Sequence, residues 1–131
     1  FLTLHPTKYA DLLQEKLKKH DANAYLVNTG WTGGKYGEGE RMSIKDTRAC
    51  IKSILSEDIL NAKFRKDELF GFDVPIELPG VSKEICNPRE SWDDPKAYDE
   101  QAKKLAKMFK DNYIQYTGEN VTDYTKFGPK V

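Results

Sequence analysis

The sequence predicts an α/β fold with more helix than strand, and three observations carry that expectation. An apolar run, Ala24-Tyr25-Leu26-Val27, enters a loop with five glycines that ends at a helix start. Segments of helical period flank it on both sides, with Tyr9, Leu12, Leu13 and Leu17 before it and Ala49, Ile51, Ile54 and Leu55 after it. Further on, Phe70, Phe72, Val74, Ile76 and Leu78 alternate at period two, as a half-buried strand does.

Taken in order, the first helix starts at Pro6, a residue suited to the first turn because its missing N–H is not needed there. Lys8, Asp11, Glu15, Lys18 and Lys19 fall on its wet side, and Asp21-Ala22-Asn23 breaks it. Residues 24–28 read as a short buried strand, so helix then strand forms one half-turn of an α/β layer. The following helix is expected over about 44–57, because Ser43-Ile44-Lys45-Asp46 has the [ST]-x-x-[DE] spacing of a capping box. A short turn is expected over 56–60. The period-two strand contains Pro75, which restricts it to an edge or an irregular position, and Pro79-Gly80 makes a turn. Residues 87–94 read as loop. Asp94-Pro95 pairs an N-cap with a first-turn proline and opens a long helix. Its stripe is Tyr98, Ala102, Leu105, Phe109, Tyr113 and Tyr116, a core pattern rather than a cofactor box, with Gly118 at C′. Residues 119–131 read as coil or short turns.

The chain has 131 residues, and Lys plus Arg equals Asp plus Glu at 21 each. Zero net charge argues against a nucleic-acid partner, which needs a basic excess. No apolar run approaches the roughly 20 residues of a membrane span. Cys50 and Cys86 lie outside any metal or redox spacing and read as reduced thiols, which fits a cytoplasmic protein. The two histidines exclude a His-rich metal site. Two short strands, one with a proline inside, cannot form a stable sheet alone. With Phe1 standing in mid-phrase and no Met before it, the expectation is a segment of something larger, whose sheet lies largely elsewhere.

Strand, glycine loop and helix N-terminus in succession can present backbone N–H groups to a nucleotide. The spacing is not G-x-x-x-x-G-K-[ST], since Gly30 to Gly34 is one residue short and Tyr36 follows Lys35. On pattern alone, a nucleotide loop and a flexible surface loop both remain open.

Tyr25-Leu26-Val27-Asn28-Thr29-Gly30-Trp31 and Arg41-Met42-Ser43-Ile44-Lys45-Asp46-Thr47-Arg48 closely resemble ATP-dependent phosphoenolpyruvate carboxykinases. The resemblance extends through Phe1-Leu2-Thr3-Leu4-His5-Pro6, Glu77-Leu78-Pro79-Gly80-Val81, Asn87-Pro88-Arg89 and Gly128-Pro129-Lys130-Val131. It implies an enzyme that converts oxaloacetate and ATP to phosphoenolpyruvate, ADP and carbon dioxide with Mg²⁺ and Mn²⁺, a gluconeogenic reaction. It also implies that residues 1–131 are the C-terminal segment of a mononucleotide-binding α/β domain. The family's P-loop, metal ligands and substrate arginines would then precede Phe1, leaving no catalytic residue and no metal ligand in this segment.

One family site falls here, the segment that contacts the adenosine part of ATP. Carried over, the ATP-binding positions are Arg41, Met42 and Thr47. A guanidinium can lie against a purine face. A threonine hydroxyl can meet a base edge, and a methionine offers its backbone and an adaptable apolar side chain. Without the resemblance, Arg41 reads as a solvated cation and Thr47 as an ordinary first-turn residue. Met42 stands where a branched Ile is often found, and the loop over 33–40 is longer than in some members. Lys35 invites a phosphate role that the resemblance does not support. The alternative function is a stand-alone nucleotide-binding or interaction module without catalysis. The encoding reading frame separates the two, because an upstream P-loop belongs only to the enzyme.

Overall fold

Helix α1 spans Pro6–His20, and the computed structural model as a whole describes residues 3–131. Phe1 and Leu2, which begin the phrase read as the end of a longer segment, lie outside the described residues. The His5 ring accepts from the Thr7 N–H at the start of α1, and Asp21 closes it in the left-handed region at φ 48°.

The expected strand over 24–28 does not form. Residues 22–29 are irregular and Leu26 is 85% exposed. Strand structure needs a neighbour's N–H and C=O groups, and among the described residues none pairs with this run. Pairing instead begins inside the glycine loop. β1 (Trp31–Thr32) runs antiparallel to β2 (Glu40–Arg41), with Trp31 opposite Arg41 and Thr32 opposite Glu40.

Helix α2 spans Ile44–Leu55, and the expected short turn follows as a 3₁₀ segment, Asp58–Asn61. Its inner face differs from the expected one. Asp46 and Ser53 are buried, and Ala49 lies against Gly80, where an added Cβ would come within 3.6 Å. Ile51 and Leu55, expected inside, are exposed, Leu55 by 80%. The face that packs within this chain is thus the small, polar one.

The period-two run is shorter than expected. Only Asp73–Pro75 pairs, as β4, with β3 (Phe64–Lys66). Pro75 sits opposite Phe64 at the end of the ladder, a position a residue without N–H tolerates. β3 escaped sequence reading because Phe64 and Lys66 both point to water and give no apolar alternation. The stretch read as loop, 87–94, holds a 3₁₀ turn, Pro88–Ser91, and a helical turn that sequence reading did not assign, α3 (Lys83–Cys86), precedes it.

Helix α4 spans Pro95–Tyr113, and the Asp94 side chain accepts from the Lys96 N–H at 2.8 Å, as its cap position requires. Ala102 and Ala106 form its inner line, whereas Leu105 and Phe109 stay substantially exposed. The helix tightens into a 3₁₀ turn, Ile114–Tyr116, capped by Thr117, and Gly118 follows at C′ of that turn. The tail is irregular apart from Thr125–Phe127. It is tied to α1 by Asp11, which accepts from the Tyr124 hydroxyl at 2.6 Å and the Thr122 hydroxyl at 3.0 Å.

The buried apolar residues, Met42, Ile59, Leu78, Cys86, Ala102 and Ala106, are few, and no large side chain among the described residues is fully enclosed. Both cysteines are free, and burial pushes both thiols up, which keeps them protonated and weakly nucleophilic. No helix among the described residues is long and apolar enough to cross a membrane.

Candidate functional site

The site is built where the glycine loop meets α2. Glycine is required at two points for steric reasons. A Cβ at Gly39 would lie 2.4 Å from the Thr32 carbonyl oxygen and 2.7 Å from Gly34 backbone atoms. A Cβ at Gly34 would lie 2.8 Å from the Gly39 nitrogen. The hairpin therefore closes by backbone on backbone, and these glycines serve the loop itself rather than the approach of a ligand. The Lys35 carbonyl accepts from the N–H groups of Glu38 and Gly39, each at 3.0 Å. Lys35 pairs with Glu38 at 2.9 Å. The Ser91 hydroxyl accepts from the Gly33 N–H at 3.2 Å and donates to the Pro88 carbonyl at 2.7 Å, which anchors the loop to the turn before α4.

Ser43 caps α2, and its Oγ accepts from the Asp46 N–H at 3.0 Å. Asp46 does not complete the reciprocal half of the capping box. Its Oδ2 accepts from the Ser43 hydroxyl at 2.6 Å, and its Oδ1 accepts from the Ser82 N–H at 2.8 Å and hydroxyl at 2.9 Å. These bonds, the Ser43 one foremost, hold the carboxyl below the usual carboxylate range. Asp46, only 7% exposed, is thus the joint between α2 and the 78–86 segment. Sequence reading saw it only as a capping residue, and the signal for more would have been a carboxylate on the face that packs.

The three expected ATP-binding residues lie within seven positions but face different ways. Arg41 is exposed on β2 and borders an open hollow of about 390 Å³ with Thr32, Glu40, Ser43, Asp46 and Ser82. Met42 points inward and is buried, and its N–H donates to the Gly30 carbonyl at 2.9 Å. Strand alternation sends neighbours to opposite sides, so the methionine side chain serves the core. Thr47 sits in the first turn of α2 and borders a second, shallower hollow of about 510 Å³ with Arg48, Ile51 and Leu55. Its hydroxyl donates to the Ser43 carbonyl at 2.9 Å, which leaves its lone pairs free to accept.

The lining of the first hollow also includes Glu38, Glu40 and Glu84 beside Asp46, with Arg41 as its one cationic residue. Such a lining repels an anionic phosphate chain and suits a neutral, hydrogen-bonding group. No group of three or more His, Cys, Asp or Glu side chains among the described residues could hold a metal ion.

A model of the phosphoenolpyruvate carboxykinase family matches residues 1–84. Among similar proteins, the phosphoenolpyruvate carboxykinase (ATP) of Thermus thermophilus is 48% identical over 130 residues, covering 99% of this chain. Those of Sulfurimonas denitrificans and Campylobacter lari are 52% and 53% identical and cover all of it. In each case the match spans 25% of the relative, so the chain has about a quarter of the length of these relatives.

Proposed function

The chain belongs to the phosphoenolpyruvate carboxykinase family, in its ATP-dependent branch, and from that premise we propose that it supplies the adenosine-binding part of an ATP site. In this reading residues 1–131 are the C-terminal segment of a mononucleotide-binding domain. The whole polypeptide is a carboxy-lyase that converts oxaloacetate and ATP to phosphoenolpyruvate, ADP and carbon dioxide. Arg41 lies against the base, Thr47 accepts a hydrogen bond at a base edge, and Met42 fixes the backbone between them from the core.

The observation that carries this reading is the lining of the hollow at Arg41. With Glu38 paired to Lys35, the three remaining carboxylates, Glu40, Asp46 and Glu84, outnumber the one cationic lining residue, which opposes a triphosphate but leaves a neutral base and sugar acceptable. Phosphoryl transfer needs metal ions and a phosphate cradle. Among the described residues no group of three or more His, Cys, Asp or Glu could hold a metal ion, and in this reading Mg²⁺ and Mn²⁺ are held by other parts of the enzyme, with no step here running through them. Lys35, paired with Glu38, takes no phosphate role.

Steady-state kinetics of the full-length polypeptide carrying this segment test the reading. Arg41→Ala should raise the KM for ATP about 5- to 30-fold, from the roughly 1–2 kcal/mol of a partly desolvated cation–π contact. The kcat should change much less, because the residue is remote from the transferred phosphoryl group. An unchanged KM would refute the assignment. The chain by itself should show no carboxykinase activity and bind ATP with a Kd above about 1 mM, a limit that calorimetry checks.

A further inference from the structure

The outward face of the β1–β2 hairpin carries two aromatic side chains, Trp31 and Tyr36, that the reading above leaves unused. Trp31 and Arg41 oppose each other across the two strands. The Met42 N–H to Gly30 carbonyl bond marks residues 30 and 42 as a hydrogen-bonded pair. Trp31 and Arg41 are then the adjacent non-hydrogen-bonded pair, with Cα atoms about 4.5 Å apart and both side chains on one face. Tyr36 stands edge-on to Trp31, with ring centroids 5.1 Å apart at 82°. Trp31 is 41% exposed and Tyr36 82%. Among the described residues, no carboxylate pairs with the Arg41 guanidinium and no ring lies beneath it.

Two large aromatics and an unpaired cation therefore share one surface, on a hairpin closed by backbone-on-backbone contact at Gly34 and Gly39. An indole beside a guanidinium matches a purine, which has a broad π face and acceptor nitrogens at its edge. It matches a phosphate chain poorly, since only one cation is present.

We propose that Trp31, backed by Tyr36, is the stacking platform for the purine base of the nucleotide, with Arg41 engaging the same base from the neighbouring strand. The proposal rests on the reading of Arg41 as an adenosine contact and adds a residue and a preference: purine over pyrimidine nucleotides, through ring area.

The test uses the full-length polypeptide with three variants at Trp31, with Arg41→Ala measured in parallel. Trp31→Ala should raise the KM for ATP about tenfold, the scale of one base–aromatic stack, with kcat within about twofold. Trp31→Phe should restore most of the loss, as a smaller aromatic face would. Trp31→Leu keeps apolar volume without a π face, so it should raise the KM while leaving the melting temperature close to wild type. The preference for ATP over CTP should shrink in the Ala and Leu variants. If Arg41→Ala raises the KM but no Trp31 variant does, the platform is wrong and the adenosine reading stands. If none raises it, both fail. If Trp31→Ala and Trp31→Leu lower stability and kcat with the KM unchanged, Trp31 is a packing residue and the proposal is overturned.

Discussion

Asp46 accepts three hydrogen bonds on its two oxygens, and that small cluster holds α2 against the 78–86 segment. Removing it leaves the Ser82 N–H without a partner, so Asp46→Ala should destabilise the fold by about 1–3 kcal/mol, read from denaturant unfolding. The pH dependence follows from the lowered carboxyl. The unfolded chain takes up the proton first, near the ordinary value of about 3.9. Stability from Asp46 is therefore complete above that value and is lost as pH falls through the lowered folded value. Melting curves in acid should show a shallower decline below about pH 4 for Asp46→Asn than for wild type. Asp11 and Asp99, also held low by hydrogen bonds from Tyr124 and Arg89, leave part of the acid sensitivity in place. Thr47 allows a finer measurement. Its hydroxyl proton is committed to the Ser43 carbonyl, so only an accepting role remains for a ligand. Thr47→Val should raise the KM for ATP in the full-length polypeptide by the equivalent of roughly 0.5–1.5 kcal/mol.

Among the elements, the hairpin is the one whose geometry depends on particular residues. The Cβ of Gly39→Ala would meet backbone atoms of Thr32 and Gly34, which cannot move without opening the hairpin. At Gly37 nothing lies within 4 Å of an added Cβ, and only its positive φ of 90° opposes a side chain. Gly39→Ala should therefore expose the loop to trypsin at Lys35 and weaken nucleotide binding more than Gly37→Ala, whose cost is near 1 kcal/mol. Equal proteolysis rates for the two variants would contradict this account. Helix α2 shows the other side of element design, with two faces of different use. Asp46, Ala49 and Ser53 pack inside this chain, while Ile44, Ile51 and Leu55 present an apolar line to solvent.

Over the whole molecule that apolar line is not alone. Leu12 and Leu13 on α1, and Leu105, Met108 and Phe109 on α4, are exposed as well. The accessible surface is 10501 Å², against about 7,000 Å² for a compact monomer of this mass by the usual scaling. The excess is the area that a closed core would have removed from water. Exposed apolar patches of this extent favour association. The Phe1–Val131 chain on its own should self-associate or unfold with low cooperativity at micromolar concentration, which sedimentation and thermal melts can measure. A clean monomer with a sharp transition would show that it closes a core unaided.

Local chemistry by itself determined where the three long helices start. Pro6, the Ser43–Asp46 spacing and Asp94-Pro95 specify helix starts within a few residues, because capping is settled by neighbours in sequence. The same holds for the family, which short phrases along the chain suggested and relatives about half identical over its length support. Strands were less legible. Ala24-Tyr25-Leu26-Val27 has strand composition but no partner here, and Phe64-Arg65-Lys66 lacks the pattern yet pairs. A strand exists only through its neighbour, and which neighbour arrives is decided in three dimensions. The faces of α2 followed the same rule, since the apolar period marks what a helix can bury and only tertiary contact selects what it does bury. At the site, the seven-residue phrase placed Arg41, Met42 and Thr47 close together, but strand alternation and the helical turn sent them in three directions. Trp31 joined Arg41 only once the hairpin register set the two side by side.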